Sequence, residues 1–233
     1  DLFEATLALI EAEAKRRRAL WVKIDPDIIR ATGEPDSDDD EAQEAGTTFI
    51  RQLKARGWQF SDEQAQFRNT VNIDLSPSED DLLMAMSQNT RRKVRQASKK
   101  GVTVKAGTLD DLDALYDLYA QTGARDGFLI RPRAYYVTLW REMMEAGMAH
   151  SLIAEYEGKP IAHVVLFHVG RKCWYFYGAS SDEERQRMPN YALQWEAIRW
   201  AKAQGYAIYD MWGAPDVFNE SDSMWGVYQF KRG

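Results

Sequence analysis

In the second half of the chain the apolar positions alternate between two periods. Leu112, Leu115, Tyr116 and Tyr119 recur at helical spacing after the start signal Thr108-Leu109-Asp110-Asp111, and Gly123 is the expected stop. A second helix is predicted from near Pro132, with Tyr136, Leu139, Trp140 and Met143 on one side, ending by Gly147. Three strand-like runs follow at 151–156, 161–167 and 173–179, joined by Glu157-Gly158-Lys159 and Val169-Gly170-Arg171. Short turns between strands predict an antiparallel meander. A helix over 190–204 then leads to a strand over 206–211.

The first half is less regular. Leu2, Leu9 and Ile10 give a helical period that ends in the basic run 15–18, and cations suit a helix C-terminus. Residues 19–24 read as a strand stopped by Asp25-Pro26, and seven acids from Glu34 to Glu44 mark a solvated connection. A helix over 42–56 closes at Gly57, and strand-like runs follow at 58–60 and 67–75. Ser76-Pro77-Ser78-Glu79 reads as N-cap, first-turn proline and capping-box acid for a helix carrying Leu82, Leu83 and Met86. Gly101 ends the next helix and 102–105 looks like the opening strand of a new unit. The predicted domains are therefore 1–100 and 101–233.

Composition is that of a globular protein: 233 residues, 45% apolar and 28% charged, which excludes a wholly disordered or fibrous chain. Thirty Lys and Arg against thirty-six Asp and Glu give a net charge of −6, so any nucleic-acid contact must come from a local patch. One exists. Residues 91–100 hold six bases and no acid, and removing them leaves the rest of the chain at −12. That run is either a phosphate-binding helix face or a solvated linker helix. The lone Cys173 has no disulfide partner and no Cys or His at metal spacing, so a reducing compartment is expected. No run reaches the roughly 20 apolar residues of a membrane span. Position 1 is Asp, with no signal segment before the first helix, so a fragment is expected.

Strand, two helices, a meander, helix and strand is the order of the GNAT acyltransferase fold, which the second half resembles. In its coenzyme A users an Arg/Gln-x-x-Gly-x-Gly/Ala turn presents backbone amides to pyrophosphate. Here that turn reads Arg185-Gln186-Arg187-Met188-Pro189-Asn190-Tyr191-Ala192, in which proline has no amide hydrogen and tyrosine blocks close approach. A second resemblance is more specific. Asn89-Thr90-Arg91-Arg92-Lys93-Val94-Arg95-Gln96-Ala97-Ser98-Lys99-Lys100-Gly101-Val102 is similar to a Thr-Arg…Ala-x-Lys-x-Gly-Val segment of the Fem family, aminoacyl-tRNA-dependent transferases that build peptidoglycan cross-bridges. Val71-Asn72-Ile73-Asp74-Leu75-Ser76, Met188-Pro189-Asn190-Tyr191-Ala192-Leu193-Gln194-Trp195 and Tyr228-Gln229-Phe230-Lys231-Arg232-Gly233 agree with it in order and spacing.

The resemblance covers residues 66–233 well and the earlier part loosely. It implies an α+β fold of tandem GNAT-like domains, mixed sheets flanked by helices, with the first domain truncated, the family's return segment after Gly233 missing and no room for a coiled-coil arm. It implies transfer of an amino acid from aminoacyl-tRNA, a co-substrate with no further cofactor, to the stem peptide of a UDP-linked muropeptide or lipid II. The location implied is cytoplasmic, with peripheral association at the inner face of the plasma membrane left open. A coenzyme A-dependent N-acyltransferase and a non-catalytic precursor- or tRNA-binding module are the alternatives.

Residue by residue, the resemblance makes Lys231 the cation that stabilises the transition-state oxyanion, with Phe230 beside it; read alone, Lys231 is a surface lysine on a last strand. It assigns the acceptor's nucleotide-sugar diphosphate to Arg131 and Tyr135, with Arg133 and Tyr136 as the competing pair, and adds Tyr191. Arg91, Arg92, Arg95 and Lys99 are the candidate tRNA contacts. No metal site is expected. None of the three histidines has a nucleophile or metal partner in sequence: His163 and His168, within a meander strand, read as structural, and His150 precedes it. Asp74 could be a base but reads more simply as a connector contact before a capped helix.

Overall fold

The computed structural model describes residues 2–64 and 66–233, which form two compact units, Asp1–Gln66 and Phe67–Gly233. In the first, helix α1 (Leu2–Arg16), the two-residue strands β1 (Ala31–Thr32) and β2 (Glu41–Ala42), and helix α2 (Glu44–Ala55) are joined by irregular chain. Phe3 packs on buried Phe49 with ring centroids 5.2 Å apart, and Leu7 is buried. Arg56 bridges Glu4 and Glu11 at 2.7 Å each, and Trp58 donates to Glu11 at 2.9 Å. The guanidinium and indole donors together hold the Glu11 carboxyl down to about 2. The strand expected over 19–24 is absent. Leu20 is 99% exposed and no neighbouring strand pairs with the run, so its apolar character has no sheet to enter.

The second unit is built on a six-stranded sheet of β3 (Asn72–Asp74), β4 (Thr103–Ala106), β5 (Ala149–Tyr156), β6 (Lys159–Val169), β7 (Lys172–Ser180) and β8 (Ile208–Asp210), in the order β3-β8-β7-β6-β5-β4. The meander is antiparallel as expected, and only β7 and β8 run parallel. Of the runs 58–60 and 67–75, only Asn72–Asp74 is a strand. Alternation on β5 and β6 separates two cores. Leu152, Ala154, Ala162, Val164 and Leu166 face helices α4 (Gln88–Lys99) and α7 (Pro189–Ala203) through Ala97, Leu193, Ala197 and Ile198. Ile153 and Val165 face α5 (Leu112–Asp126) and α6 (Arg133–Glu145) through Leu112, Leu115, Tyr136 and Trp140.

The unit boundary falls between Gln66 and Phe67, where the sequence put it after residue 100. The reason is β3, which pairs with β8, and α3 (Glu79–Ala85) and α4, whose Leu82 and Ala97 are buried in the same core as the meander. The basic helix is thus packed against the sheet unit and is not a free linker. Two other details differ. Ser78, not Ser76, caps α3 by accepting from the Asp81 amide at 3.1 Å. Helix α5 runs through Gly123 to a left-handed Gly127, because Gly123 admits Ile130, whose Cγ2 lies 3.0 Å from where a Cβ would stand.

Trp140 is fully buried and meets the rings of Tyr119, Tyr136, Tyr177 and His163. Trp140→Ala should lower unfolding free energy by about 3–5 kcal/mol, read as a fall in the urea midpoint at unchanged slope.

Candidate active site

The last helix, α8 (Trp225–Arg232), starts where the Asp222 carboxylate accepts from the amides of Met224 at 2.7 Å and Val217 at 3.2 Å. Its inward side carries Tyr228, packed on Phe218, and, three residues on, Lys231. Lys231 therefore lies on a helix, not on the strand expected, and it is 8% exposed, not a surface residue. Its ammonium donates to the carbonyls of Gly213 at 2.6 Å and of Trp212. Two of three hydrogens are so engaged, which leaves one for a ligand oxygen. Burial pushes its pKa down to about 8, with the Asp210 carboxylate pulling the other way.

Those carbonyls belong to a tight turn after β8. Trp212 and Gly213 are both left-handed, with φ of 55° and 47°. Asp210, 2% exposed, accepts from the Trp212 amide at 2.8 Å and from the Thr70 hydroxyl, and pairs with Lys172 of β7 at 2.9 Å. The Trp212 ring lies 4.7 Å from Phe176.

Phe230, the residue before the lysine, meets the Tyr191 ring edge-on at 5.0 Å. Tyr191 in turn accepts from Lys93 of α4 at 2.8 Å, and the same ammonium stands 4.6 Å from its ring centre. Sequence reading put Lys93 in the basic run without a role, since nothing local marks a contact 98 residues away. The turn before Tyr191 is held from within: the amides of Arg187 and Met188 bond to Glu184 and Arg185 at 2.9 and 3.1 Å, and Lys100 donates to the Gln186 carbonyl at 2.5 Å. Met188 is left-handed and Pro189 opens α7.

Arg131 and Tyr135 are brought together and exposed, the guanidinium 4.8 Å from the ring centre. The competing residues are occupied. Arg133 pairs with Asp113 at 2.7 Å and Asp117 at 2.9 Å, and Tyr136 is buried with its hydroxyl on the Arg131 amide. A continuous row of ring contacts, Tyr135–Tyr136–Tyr177–Phe176–Trp212, links this pair to the turn that holds Lys231.

Of the basic helix, Arg91 folds back onto the carbonyls of Met84 and Met86. Arg92, Arg95 and Lys99, spaced three and four apart, share the exposed side. Asp74 accepts from the Ser76 amide and hydroxyl at 2.9 and 2.7 Å, a connector contact as expected. His163 is wholly buried and His150 stacks on Trp200 at 4.1 Å, and burial pushes both down to about 4, so both are neutral at physiological pH. Among the described residues no cluster of His, Cys, Asp and Glu could hold a metal, and no helix is long and apolar enough to cross a membrane.

Lys231 carries a stability signature. Its pKa is 10.5 when unfolded and about 8 when folded, so between those values the unfolded chain binds the extra proton. The penalty is complete below pH 8 and is relieved as pH rises towards 10.5, by up to about 3 kcal/mol. In urea melts over this window the wild type should gain stability relative to Lys231→Met as pH rises. A constant difference would show that no ammonium is buried there.

Comparison with known proteins is consistent with this geometry. The pattern of the FemAB family matches residues 1–145 and that of an Acetyltransferase (GNAT) domain residues 85–232. The lipid II:glycine glycyltransferase of Staphylococcus epidermidis is 24% identical, over the whole of this chain and 69% of its own length; that of Staphylococcus aureus is 25% identical over 98% and 69%. The crystal structure of FemX superposes with a TM-score of 0.84 at 24% identity, covering 98% of this chain and 72% of its own. A conserved protein from Bacteroides thetaiotaomicron reaches 0.52 at 11% identity, covering 83% and 73%. The chain belongs to the FemAB family and has the mixed-sheet GNAT fold.

Proposed function

We propose that the chain is an aminoacyltransferase that moves an amino acid from aminoacyl-tRNA to the stem-peptide amine of a peptidoglycan precursor. Lipid II is the acceptor in the names of its staphylococcal relatives, and we take it as the acceptor here. The single observation that carries the reading is the Lys231 ammonium, buried, held by two carbonyls and left with one free hydrogen.

The chemistry follows from that group. The acceptor amine attacks the ester carbonyl, and negative charge gathers on the carbonyl oxygen. Lys231 donates to that oxygen from a site where water does not dilute the interaction. Collapse expels the ribose hydroxyl of the tRNA, and the proton lost by the amine ends on that oxygen. Phe230 and Tyr191 offer ring faces beside the reacting carbon, while Lys93 fixes Tyr191. Arg131 with Tyr135 is suited to the acceptor's diphosphate, a cation on an aromatic face with no acid partner among the described residues. Arg92, Arg95 and Lys99 form the contact for the RNA, while Arg91 is held back on the carbonyls of Met84 and Met86. No bound cofactor has a role in this scheme, and binding of the lipid-linked acceptor is peripheral, on the cytoplasmic side where charged tRNA is found.

The GNAT domain match keeps an acyl-coenzyme A reading in play. The turn over 185–191 argues against it, since the amides of Arg187, Met188 and Tyr191 bond inward and a fourth position is proline.

Incubation with a panel of charged tRNAs and lipid II should add an amino-acid mass to the precursor, dependent on tRNA; no addition across the panel, with tight coenzyme A binding by calorimetry, would reverse the assignment. Lys231→Ala should lower turnover about ten- to a thousandfold. Turnover in the wild type should fall above about pH 8 as Lys231 loses its proton. Unchanged kinetics in the variant would remove the lysine from the mechanism.

A further inference from the structure

The Lys231 reading leaves a second buried charged group unexplained. Asp210 ends β8 at 2% exposure, and a carboxylate is costly to bury unless every oxygen is satisfied. Its contacts point in two directions. One oxygen accepts from the Trp212 amide two residues on, at 2.8 Å, and from the Thr70 hydroxyl; the other meets Lys172 at 2.9 Å. The first of these bonds folds the chain sharply after the strand, as aspartate does when it bonds two residues ahead. The fold places Trp212 and Gly213 in left-handed conformations and turns both their carbonyls onto the Lys231 ammonium. Trp212 has no glycine-like freedom, so its conformation is held from outside the residue.

We propose that Asp210 is a positioning residue for Lys231: it ties the 210–213 turn into the shape that presents two carbonyls to the ammonium, and it is the carboxylate that faces that ammonium. The inference rests on the oxyanion role given to Lys231 above. The charges around the lysine are few. Asp210 faces it from β8, Lys172 reaches Asp210 from β7, and Lys93 of α4 is directed to Tyr191, which meets the neighbouring Phe230. Arg232 follows it on α8 and is exposed. The attraction of Asp210 raises the lysine's proton affinity against the opposing effect of burial.

Two substitutions have opposite consequences. Asp210→Asn keeps an acceptor for the Trp212 amide but removes the charge, so Lys231 gives up its proton more readily. Lys172→Met removes the competing cation and leaves the Trp212 amide and Thr70 hydroxyl on Asp210, so Lys231 keeps its proton to higher pH. The measurement is a carbon-13 NMR titration of the whole chain labelled at lysine, with the Lys231 signal assigned by its loss in Lys231→Met, alongside the pH profile of turnover. Asp210→Asn should move the Lys231 midpoint and the basic limb of the profile down together by about one unit, a tenfold change in the proton equilibrium. Lys172→Met should move both upward. An unmoved midpoint in Asp210→Asn, or displacement of both variants in one direction, overturns the proposal. Should Asp210→Asn fail to fold, an upward displacement in Lys172→Met supports it and any other result overturns it. Full turnover in Lys231→Met would sink the oxyanion role alone, since the NMR midpoints judge Asp210 without reference to activity.

Discussion

A lysine ammonium drawn out of water must find oxygen, and much of the C-terminal architecture follows from satisfying Lys231. Its stem comes from α8, whose start is fixed by Asp222, and its head reaches a turn that follows β8. The turn accepts a left-handed tryptophan, a conformation that costs of order 1–3 kcal/mol in a residue with a side chain. The Asp210 bond to the Trp212 amide and the packing of Trp212 on Phe176 offset that strain. Strain of this kind persists where surrounding structure over-determines it. Here a buried ion pair, a hydroxyl and an aromatic ring all bear on four residues.

The sheet determines where this cluster can stand. Parallel pairing of β7 with β8 places Asp210 opposite Trp174 and brings Lys172 of the neighbouring strand within reach of its carboxylate. Antiparallel pairing of β8 with β3 carries the chain back towards Thr70, the third partner. Three separated stretches therefore converge at one sheet end. The two faces of the same sheet divide the labour: α4 and α7 cover one and deliver Lys93 and Tyr191, while α5 and α6 cover the other, with Tyr135 on α6 and Arg131 in the connection before it. Ring contacts run from the second group through buried Tyr136 to Trp212, so the two groups are joined by one packed aromatic row.

The meander, the flanking helices and the basic helix were legible because each rests on local periodicity and punctuation that its own residues supply. The run 19–24 shows the limit of that signal: alanine, leucine, tryptophan, valine and isoleucine suit a strand, yet a strand exists only where another can pair with it. The segment around Lys231 failed differently. Its helix is eight residues, Tyr228 and Lys231 are its two buried positions, and the aspartate that starts it lies outside the run. The site was half legible. Lys231, Phe230, Tyr191, Arg131 and Tyr135 were named through a resemblance, and the structure sets Tyr191 against Phe230 and Arg131 over Tyr135. Lys93, Asp210, Lys172 and Thr70 were not given roles, because their partners are distant in sequence and only the closed sheet brings them near.

Charge counting also reads differently once the partners are known. Six bases in ten residues read either as a phosphate-binding face or as a solvated linker, but Arg91 is folded onto the carbonyls of Met84 and Met86, Lys93 onto Tyr191 and Lys100 onto the Gln186 carbonyl. Arg92, Arg95 and Lys99 remain on the open side. Three phosphate contacts would give a salt slope near −2 for a single-stranded nucleic acid, far short of what dedicated non-specific binders show. With −12 spread over the rest of the chain, these three cations could orient a short stretch of backbone but not retain a polynucleotide. An RNA donor would therefore be bound mainly through the group it carries into the Lys231 site, and would leave readily once that group had been transferred.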